Sequence, residues 1–505
     1  MSGSPQLMAT QRNGFKKESF ILSVDVGTTT IRCNVFDKGA KIRGTCSSKV
    51  VLLYPEPGLV ELDPEELFNG FIAVVKGAVQ DAGVKMSQIV SLGIATQRGT
   101  FTTWDRTTGR PFHNFISYQD LRAIDSVTSW NGSYTMKVSF PRFLHFIKTQ
   151  MFLLSELLLF YASLFSYCTC DFTPCLCLVF RHCGLCFTLS FVFDSSGEVH
   201  ATDYSNASST GMFDPYQMCW SGPLFSMLSL PFSILPKIAD QQAAMYGECC
   251  FDVGNVNITM GTGAFVDINT GSKPHTSAAG LYPVVGWKIG EEVVYLAEGN
   301  AADTGTAIKW AQGLELFSDV QETSAMAYSV ADSDGVCFVP SFSGLQAPLN
   351  DPTACASFMG LTPSTNKCHL VRAILESVAF SVRQLYQTML RETCIPVTKI
   401  RVDGGVCTND FVMQLTTDLI GQKLARPVHH EISCRGAAFV AGLGVGFWKD
   451  KEELKRLHTA DQMFVPRQAA QSGTELGVVS AEYEAVLRSW EKALQRSMGW
   501  YSSRA

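Results

Sequence analysis

One short stretch near the amino terminus combines the residue types that bind phosphate. Asp25, Gly27 and the threonines Thr28, Thr29 and Thr30 stand together between two apolar segments. Backbone N–H groups and threonine hydroxyls can surround phosphate oxygens, and a carboxylate can hold a hydrated Mg²⁺ beside them. The chain contains no GxxxxGK[ST] motif, so this stretch is not a P-loop. Taken alone, it fits an ordinary hairpin with a polar turn equally well.

The flanking residues predict how this stretch is held. Phe20–Val24 is an apolar run typical of a strand buried on both faces, and Ile31–Val35 has the alternation of a half-buried strand. Gly27 allows the positive φ of a tight turn and a close backbone approach to a ligand. Asn257–Ile268 repeats this order of strand, Gly/Thr turn and strand. The repeat predicts two domains of related fold that each present a hydroxyl-lined turn to one cleft.

A third motif of this kind lies nearer the carboxyl terminus. Lys399–Val402 predicts a strand, Asp403-Gly404-Gly405 follows it, and Asn409 can cap the next helix. A junction of strand, glycine pair and helix suits a nucleotide phosphate or sugar, and a generic α/β turn has the same pattern. Helical spacing also predicts helices at Pro64–Ala82, Lys237–Met245 and Asn366–Glu392, and a last helix from Ser480.

Bulk properties favour a globular α/β protein of two or more domains. The chain has 505 residues, 46% hydrophobic and 17% charged, which is enough for large cores. A net charge of −6 argues against a nucleic-acid partner. Residues 1–19 are polar and have no apolar segment of a secretory signal. Eleven of the seventeen cysteines are scattered through ordinary sequence, which predicts reduced thiols and a cytoplasmic location.

Met151–Phe193 departs from this pattern. It is strongly apolar, and the six remaining cysteines lie between positions 168 and 186. A membrane hairpin is one interpretation, but Glu156 and Arg181 would each cost about 2.5–3.5 kcal/mol near a bilayer centre. A zinc site is a second: Cys183-x-x-Cys186 has ligand spacing, but no second well-spaced pair accompanies it. We favour a third, that this stretch is not natural coding sequence but a read-through or splicing error.

The order of the motifs is more specific than any motif alone. One chain contains, in this order, Asp-x-Gly-Thr-Thr, Thr-Gln-Arg, Tyr-Gln-Asp, Thr-Asp-x-Ser-Asn-Ala-Ser, Asp-Gln-Gln, Met-Gly-Thr-Gly, Phe-Ser-Gly-Leu-x-Ala-Pro and Asp-Gly-Gly. Over residues 20–132 and 198–505 the chain therefore resembles the FGGY carbohydrate kinases, and most of all their glycerol kinase branch. The resemblance implies an α/β fold of two ribonuclease-H-like, actin-like ATPase domains, residues 20–238 and 239–505, with a cleft between them.

The resemblance also implies an activity and roles for individual residues. The activity is ATP-dependent phosphorylation of a small polyol, in which glycerol is converted to glycerol 3-phosphate. The cofactors are ATP and Mg²⁺. No membrane partner is expected, and a homodimer is compatible with the resemblance. Asp25 would lie near Mg²⁺, and Asp240 would be the catalytic base, although it could also simply cap a helix. The polyol would contact Arg98, Tyr118, Gln241 and Phe265. The nucleotide would contact Thr28, Thr29, Arg32, Thr262, Gly305, Lys309, Gly405 and Asn409.

The chemistry of phosphoryl transfer is compatible with these roles. The reaction needs a hydroxyl in line with the γ-phosphate, a metal ion on the phosphate oxygens and a carboxylate to receive the hydroxyl proton. An aspartate with a pKa of about 3.9 is a poor base in water. It can serve in a closed cleft because the proton leaves late and geometry limits the rate.

The chain also departs from the family pattern. Gly99 and Tyr118 stand where glycerol-phosphorylating relatives have Glu and Trp, so the pocket that reads the substrate hydroxyls departs from theirs. Residues 133–198 lack the family pattern, and relatives carry a longer segment between Pro236 and Ala239, including the strand that should present Asp240. We interpret both losses as transcript or gene-model errors. These departures favour an alternative function, that of a catalytically weak kinase-fold protein that binds nucleotide or a protein partner. A third alternative, a membrane-anchored form, would depend on residues 151–193 alone.

Overall fold

The computed structural model describes residues 18–56, 58–105, 108–123, 183–187, 201–210, 212–222, 225, 237–239, 243–429, 432–458, 462–467 and 481–501. The described residues form mixed α/β structure around two large sheets, one in each half of the chain. No helix among them is both long and apolar enough to span a bilayer. Eleven cysteines of the described part are free thiols, as predicted.

The amino-terminal half contains two four-stranded sheets. Its strands are β1 (Phe20–Val26), β2 (Thr30–Phe36), β3 (Ile42–Lys49), β4 (Glu61–Leu62), β5 (Ile89–Thr96), β6 (Phe101–Asp105), β7 (Phe115–Ile116) and β8 (Cys183–Phe187). The first sheet has the order β3-β2-β1-β5, in which β2 is antiparallel to both neighbours and β1 runs parallel to β5. The second has the order β4-β7-β6-β8.

The predicted hairpin at the amino terminus is confirmed. Six residue pairs join β1 to β2, from Ile21 opposite Phe36 to Val26 opposite Ile31. The expected positive φ at Gly27 was wrong, because Gly27 is not among the residues with positive φ. Glycine instead fits here because the turn is narrow. The Gly27 N–H donates to the Thr30 carbonyl at 3.0 Å, and a Cβ on Gly27 would lie 3.0 Å from that same oxygen.

One helix, α1 (Pro64–Asp81), packs on β2 and β3 and confirms the helix predicted there. Asp63 caps it by accepting hydrogen bonds from the backbone N–H groups of Glu65 and Glu66. Proline at the first position and acidic residues in the first turn both favour a helix start. The apolar side chains that α1 buries, with those of β1 and β2, form the core of this domain.

Part of the stretch interpreted as foreign to the fold takes part in a sheet. Cys183–Phe187 forms strand β8, which pairs antiparallel with β6 over five residue pairs. The interpretation of residues 133–198 as a read-through or splicing error stays a prediction, because strand pairing does not test it. The membrane hairpin and the zinc site proposed for this stretch depend mostly on residues that lie outside the described ones.

The segment between the two large sheets corrects two predictions. It contains β9 (Ala201–Asp203), α2 (Tyr204–Ser208), β10 (Phe213–Asp214), β11 (Cys219–Trp220), β12 (Lys237–Ala239) and α3 (Ala244–Gly247). The helix predicted from Lys237 was wrong, because β12 pairs in parallel with β9 and only α3 is helical. The strand judged to be missing before Asp240 is thus present, with Ala239 paired to Asp203.

The carboxyl-terminal half is organised by a seven-stranded sheet. Its strands are β13 (Asn255–Met260), β14 (Ala264–Gly271), β15 (Tyr282–Ile289), β16 (Glu292–Ala301), β19 (Lys399–Asp403), β20 (Leu424–Arg426) and β21 (Gln462–Phe464). Two further strands, β17 (Cys337–Val339) and β18 (Ser357–Met359), form a separate antiparallel pair. The order is β15-β16-β14-β13-β19-β20-β21. The hairpin β13–β14 is antiparallel and β13 runs parallel to β19, so the predicted repeat of the amino-terminal architecture is confirmed.

Seven helices complete this half in the described residues. They are α4 (Thr304–Gly313), α5 (Glu322–Tyr328), α6 (Lys367–Thr393), α7 (Asp410–Ile420), α8 (Ile432–Gly444), α9 (Lys451–Leu457) and α10 (Ala481–Ser497). The long helix predicted at Asn366–Glu392 is confirmed as α6, which is capped by Asn366 and buries an apolar face in the largest core. Trp490 of α10 lies in the same core and donates its indole N–H to the Phe338 carbonyl at 3.0 Å.

Helix α8 joins the two halves. It packs on β1 and β5 of the amino-terminal sheet. The Ser23 hydroxyl donates to the Cys434 carbonyl at 2.5 Å, and a Cβ on Gly93 would lie 2.2 Å from the Ala437 carbonyl oxygen. Backbone-to-backbone contact this close is available only to glycine. The close approach sets the position of the amino-terminal sheet relative to the rest of the chain.

Candidate functional site

A cleft of about 360 Å³ is lined by residues from both halves. The turn after β1 contributes Asp25, Gly27 and Thr28, and the turn after β13 contributes Gly261 and Thr262. The two hydroxyl-lined turns predicted from the sequence therefore lie on one cleft. Polar and charged side chains occupy another part of its wall: Gln97, Arg98, Asp203, Asn206, Asp267, Glu298 and Asn300.

The other two residues predicted for the first phosphate turn lie beside the cleft. Thr29 accepts a hydrogen bond from the Val50 N–H through its carbonyl at 3.0 Å. Arg32 is directly opposite Asp25 in the β1–β2 ladder. Neither Thr29 nor Arg32 lines the cleft, so the structure places only Asp25 and Thr28 of this set on its wall.

Gly305 is required by packing at the second turn. Its N–H donates to the carbonyls of Gly261 and Thr262, at 3.1 and 2.8 Å, and a Cβ on it would lie 2.4 Å from the Gly261 oxygen. Gly305 thus brings the start of α4 against the turn that carries Thr262. Lys309 is exposed one turn further along this helix, and desolvation followed by the positive charge of nearby Lys49 lowers its pKa. Two neighbouring ammonium groups favour an anion between them.

The junction after β19 adds a second glycine contact. Gly404 has φ +91°, and a Cβ there would lie 2.4 Å from the carbonyl oxygen of Met260, the last residue of β13. Gly405 is exposed and has open space beside its Cα, so a ligand can approach its backbone. Asn409 caps α7 as predicted and also donates its side-chain amide to Thr323 at 2.9 Å. Its side chain therefore holds the junction in place.

Asp403, at the end of β19, is a buried carboxyl that sequence reasoning left without a role. Its side chain accepts from the Asn257 amide at 3.3 Å. Burial, followed by the negative charge of Glu248, raises its pKa to about 7. It lies next to the glycine pair and therefore close to the predicted nucleotide turn.

The predicted polyol residues described by the structure come together on the cleft wall. Arg98 donates to Glu298 at 2.6 Å, and its guanidinium lies 5.6 Å from the centre of the Phe265 ring. Tyr118 lines the same wall, and its N–H donates to the Thr100 hydroxyl at 3.3 Å. Arg98, Tyr118 and Phe265 are thus brought together although they come from separate parts of the chain.

Two acidic residues on this wall were missed by sequence reasoning. Asp267 and Glu298 are directly opposite each other on β14 and β16, and both line the cleft. Burial, followed by the charge of Glu298, raises the pKa of Asp267. The signal was present in the sequence, because Asp267 lies two residues after Phe265 and strand side chains two apart share a face.

A third acidic residue, Asp203, lines the cleft from the amino-terminal half. It caps α2 by accepting from the Asn206 N–H at 2.7 Å. Burial raises its pKa to about 6, against the lowering effect of the Asn206 hydrogen bonds. Asp203 belongs to the Thr-Asp-x-Ser-Asn-Ala-Ser motif that carried the family resemblance.

Asp240 and Gln241 lie outside the described residues. The described residues on either side are both close to the cleft: Ala239 pairs with Asp203, which lines it, and Ala243 lines it directly. The assignment of Asp240 as the base stays a prediction. Within the described part of the chain, no group of three or more His, Cys, Asp or Glu side chains is arranged to hold a metal ion.

Comparisons with known proteins identify the class. Residues 20–158 match the N-terminal domain of the FGGY family of carbohydrate kinases, and residues 256–445 match its C-terminal domain. The chain therefore belongs to the FGGY family of carbohydrate kinases. The amino-terminal match extends past residue 132, where the sequence resemblance was expected to end.

Relatives within this family are similar over nearly the whole chain. Glycerol kinase 5 of Danio rerio is 62% identical over 98% of this chain and 100% of its own length. Glycerol kinase 5 of Homo sapiens is 52% identical over 96% of each chain, and glycerol kinase 2 of Thermotoga maritima is 34% identical over 95% and 99%. The alignment with the Danio rerio protein spans 532 positions, more than the 505 residues here, so that protein has residues without a counterpart in this chain.

Solved structures share the fold. Glycerol kinase of Plasmodium falciparum with ADP superimposes with a TM-score of 0.74 at 24% identity, over 95% of this chain and 98% of that chain. Xylulose kinase of Lactobacillus acidophilus gives the same TM-score at 20% identity, over 95% and 99%. The predicted fold of two ribonuclease-H-like, actin-like domains is thereby confirmed. The boundary predicted between residues 238 and 239 stays a prediction.

Proposed function

We propose that this kinase transfers the γ-phosphoryl group of ATP to a small polyol, with glycerol converted to glycerol 3-phosphate. One observation carries the proposal: a single cleft holds two hydroxyl-lined turns on one part of its wall and an arginine–carboxylate pair on another. The first arrangement suits phosphate and the second suits hydroxyl groups. The curated glycerol kinases that are similar over nearly the whole chain support the same substrate.

The nucleotide would bind across the turns that contain Thr28, Thr262 and Gly405. Thr28 and Thr262 line the cleft, and Gly405 leaves the open space that a nucleotide needs near the backbone. Gly305 would act by holding the Thr262 turn, and Asn409 by fixing the junction after β19. Thr29, Arg32 and Lys309 would act from beside the cleft, where positive charge attracts phosphate.

A magnesium ion is compatible with the residues present. Asp25 supplies a carboxylate on the cleft wall beside the phosphate turn, and Mg²⁺ in kinases is commonly held by one or two carboxylates, waters and the substrate phosphates. The lack of a larger acidic cluster in the described residues fits this mode of binding. When bound, Mg²⁺ would neutralise charge on the β- and γ-phosphate oxygens.

The polyol would bind against Arg98, Phe265, Tyr118 and Gln241. The Arg98 guanidinium is always protonated and can donate to the substrate hydroxyls, and the Phe265 ring can cover the carbon chain. Asp240 would receive the proton of the attacking hydroxyl. It directly follows β12, and the last residue of β12, Ala239, pairs with Asp203, which lines the cleft. These roles are the family roles that the resemblance predicts.

The proposal is tested by measuring ADP formation from Mg·ATP with and without glycerol, followed by identification of the product. We expect turnover that depends on glycerol and yields glycerol 3-phosphate. Absence of turnover with glycerol and with other small polyols would contradict the proposal. Thermal stabilisation by Mg·ATP without any turnover would instead support the alternative of a nucleotide-binding protein with weak catalysis, which the loss of a carboxylate at Gly99 favours.

A further inference from the structure

We propose that Asp267 and Glu298 form a carboxyl pair that selects polyols with adjacent hydroxyl groups, in place of the acidic side chain absent at Gly99. This inference rests on the proposed function and names the residues that would set its substrate specificity. The argument depends on three features of the cleft wall: the backbone at Gly99, the placement of the carboxyl pair and its unused hydrogen-bonding atoms.

The backbone at Gly99 does not readily accept a side chain. Its φ is +73°, and a Cβ there would lie 3.1 Å from the Cβ of Tyr118. Side chains other than glycine are strained in this region of φ and ψ. An acidic group for the substrate must therefore come from another element.

The carboxyl pair is placed to supply that group. Glu298 accepts a hydrogen bond from Arg98, the residue adjacent to Gly99, at 2.6 Å. Asp267 stands opposite Glu298 in the ladder between β14 and β16, and directly opposed residues have Cβ atoms about 4.5–5.5 Å apart. Phe265, two residues before Asp267, lies under the Arg98 guanidinium. The pair therefore occupies the same part of the wall as the predicted polyol residues.

Several buried polar atoms at this place have no hydrogen-bond partner among the residues that the structure describes. They are Asp267 Oδ1, Arg98 Nη1 and Asn300 Oδ1, and all three residues line the cleft. A buried polar group without a partner costs about 1–3 kcal/mol. Hydroxyl groups of a bound substrate can satisfy both the acceptors and the donor at once, since each hydroxyl donates one hydrogen bond and accepts others.

The direction of the pKa shift of Asp267 is compatible with such a substrate. Burial and the negative charge of Glu298 raise the pKa of Asp267, and the charge of Arg98 only partly opposes this. A raised pKa favours the protonated form of Asp267, in which the carboxyl has an O–H donor as well as acceptor capacity. Two adjacent hydroxyls present the same mixture, whereas a polyol that lacks one of them would leave part of the pair unsatisfied.

The experiment compares two substrates and three variants. Glycerol and 1,3-propanediol differ only in the middle hydroxyl, so the ratio of their kcat/KM values reports recognition of that group. Asp267→Leu should lower kcat/KM for glycerol by about 10–100-fold, the worth of one charged or strong hydrogen bond. It should change the value for 1,3-propanediol much less. Asp267→Asn should lie between, because an amide can still donate and accept.

Asp252→Asn is the matched control, since Asp252 is an exposed aspartate of the same half outside the cleft. It should leave the substrate ratio unchanged. The rise in Tm with Mg·ATP should be the same in all variants, which separates loss of polyol recognition from loss of folding. Equal effects of Asp267→Leu on both substrates would overturn the inference.

A binding measurement tests the inference without turnover. Calorimetric titration of glycerol, in the presence of a non-hydrolysable ATP analogue, should show weaker binding for Asp267→Leu than for the unmodified chain. Turnover of glycerol with an unchanged substrate ratio in Asp267→Leu would contradict this inference alone. Failure of the unmodified chain to bind or phosphorylate any small polyol would contradict the proposed function and this inference together.

Discussion

The two large sheets share a four-stranded core but carry different chemistry. The order β3-β2-β1-β5 corresponds to β16-β14-β13-β19, with two antiparallel pairs followed by a parallel pair in each. At equivalent rungs of the two hairpins, Asp25 faces Arg32 in the first and Thr259 faces Phe265 in the second. The same backbone thus supplies a carboxylate near the predicted phosphate turn in one half and an aromatic ring near the predicted polyol residues in the other.

The difference shows how a duplicated fold can divide one reaction. Each half contributes a glycine- and threonine-containing turn to the cleft, and the proposed function would share the nucleotide between them. The polyol wall, by which we mean the part of the cleft wall that carries the predicted polyol residues, is not symmetric. Arg98 comes from the amino-terminal half, and Asp267 and Glu298 come from the sheet of the carboxyl-terminal half. Relative placement of the halves therefore decides whether the ion pair between Arg98 and Glu298 forms at all.

The largest effect is expected at the residue assigned to proton transfer. Asp240→Asn should lower kcat by about 10²–10⁴-fold, the usual worth of a positioned acid–base group, and leave ATP affinity nearly unchanged. Steady-state kinetics and the Tm shift with Mg·ATP measure the two effects separately. Near-normal turnover by the variant would assign the proton to another group, with Asp203 the first candidate on the described wall.

Paired substitutions in the two turns test whether both halves bind the nucleotide. Thr28→Arg and Thr262→Arg should each abolish the Tm rise caused by Mg·ATP, because the longer side chain would fill the space of a phosphate. When the ATP concentration is a hundred times its Kd, binding increases the free energy of unfolding by about 2.7 kcal/mol. Thr362→Arg, at an exposed threonine outside the cleft, should retain it. A loss in only one of the two turn variants would show that the sheets do not share the nucleotide.

Two glycines of α8 test how closely this helix packs on α3. A Cβ on Gly436 would lie 1.6 Å from the Ala243 carbonyl oxygen, whereas one on Gly444 would meet no atom within 4 Å. Gly436→Ala should reduce the free energy of unfolding by about 1–3 kcal/mol or more through overpacking. Gly444→Ala should be neutral or slightly stabilising, because alanine is the better helix former. Denaturant unfolding of both variants measures the difference, and equal stability would refute the close packing of α8 on α3.

A further prediction concerns the buried carboxyl of the second sheet, whose effect on stability depends on pH. The pKa of Asp403 is raised from 3.8 to about 7, so the folded protein binds a proton there that the unfolded chain has released. This contribution to stability is fully present below about pH 4 and is lost as the pH rises to about 7. Asp403→Asn should make the free energy of unfolding fall less steeply across this range, by up to about 1.4 kcal/mol per pH unit. Parallel pH dependences for the variant and the unmodified chain would show that Asp403 is not protonated in the folded state.

Local sequence determined most of the secondary structure and the family. The helices α1 and α6, the cap at Asn409 and both hairpins follow from side-chain periodicity and capping residues, which act over a few positions along the chain. The order of the glycine and threonine motifs was sufficient to indicate the fold. The segment at Lys237–Ala239 was misassigned because a short apolar segment has too few residues to separate period 3.6 from period 2. Its strand depends on pairing with Ala201–Asp203.

Tertiary structure alone decided how the polyol wall is assembled. The sequence placed Arg98, Tyr118 and Phe265 there through the family resemblance, and strand alternation after Phe265 could have added Asp267, but no local pattern indicated Glu298 as their partner. Arg98 and Glu298 are separated by 200 residues, and Asp267 meets Glu298 only through the register of β14 and β16. Such a contact depends on sheet pairing and on the packing of α8 between the halves, and no local pattern encodes either of them.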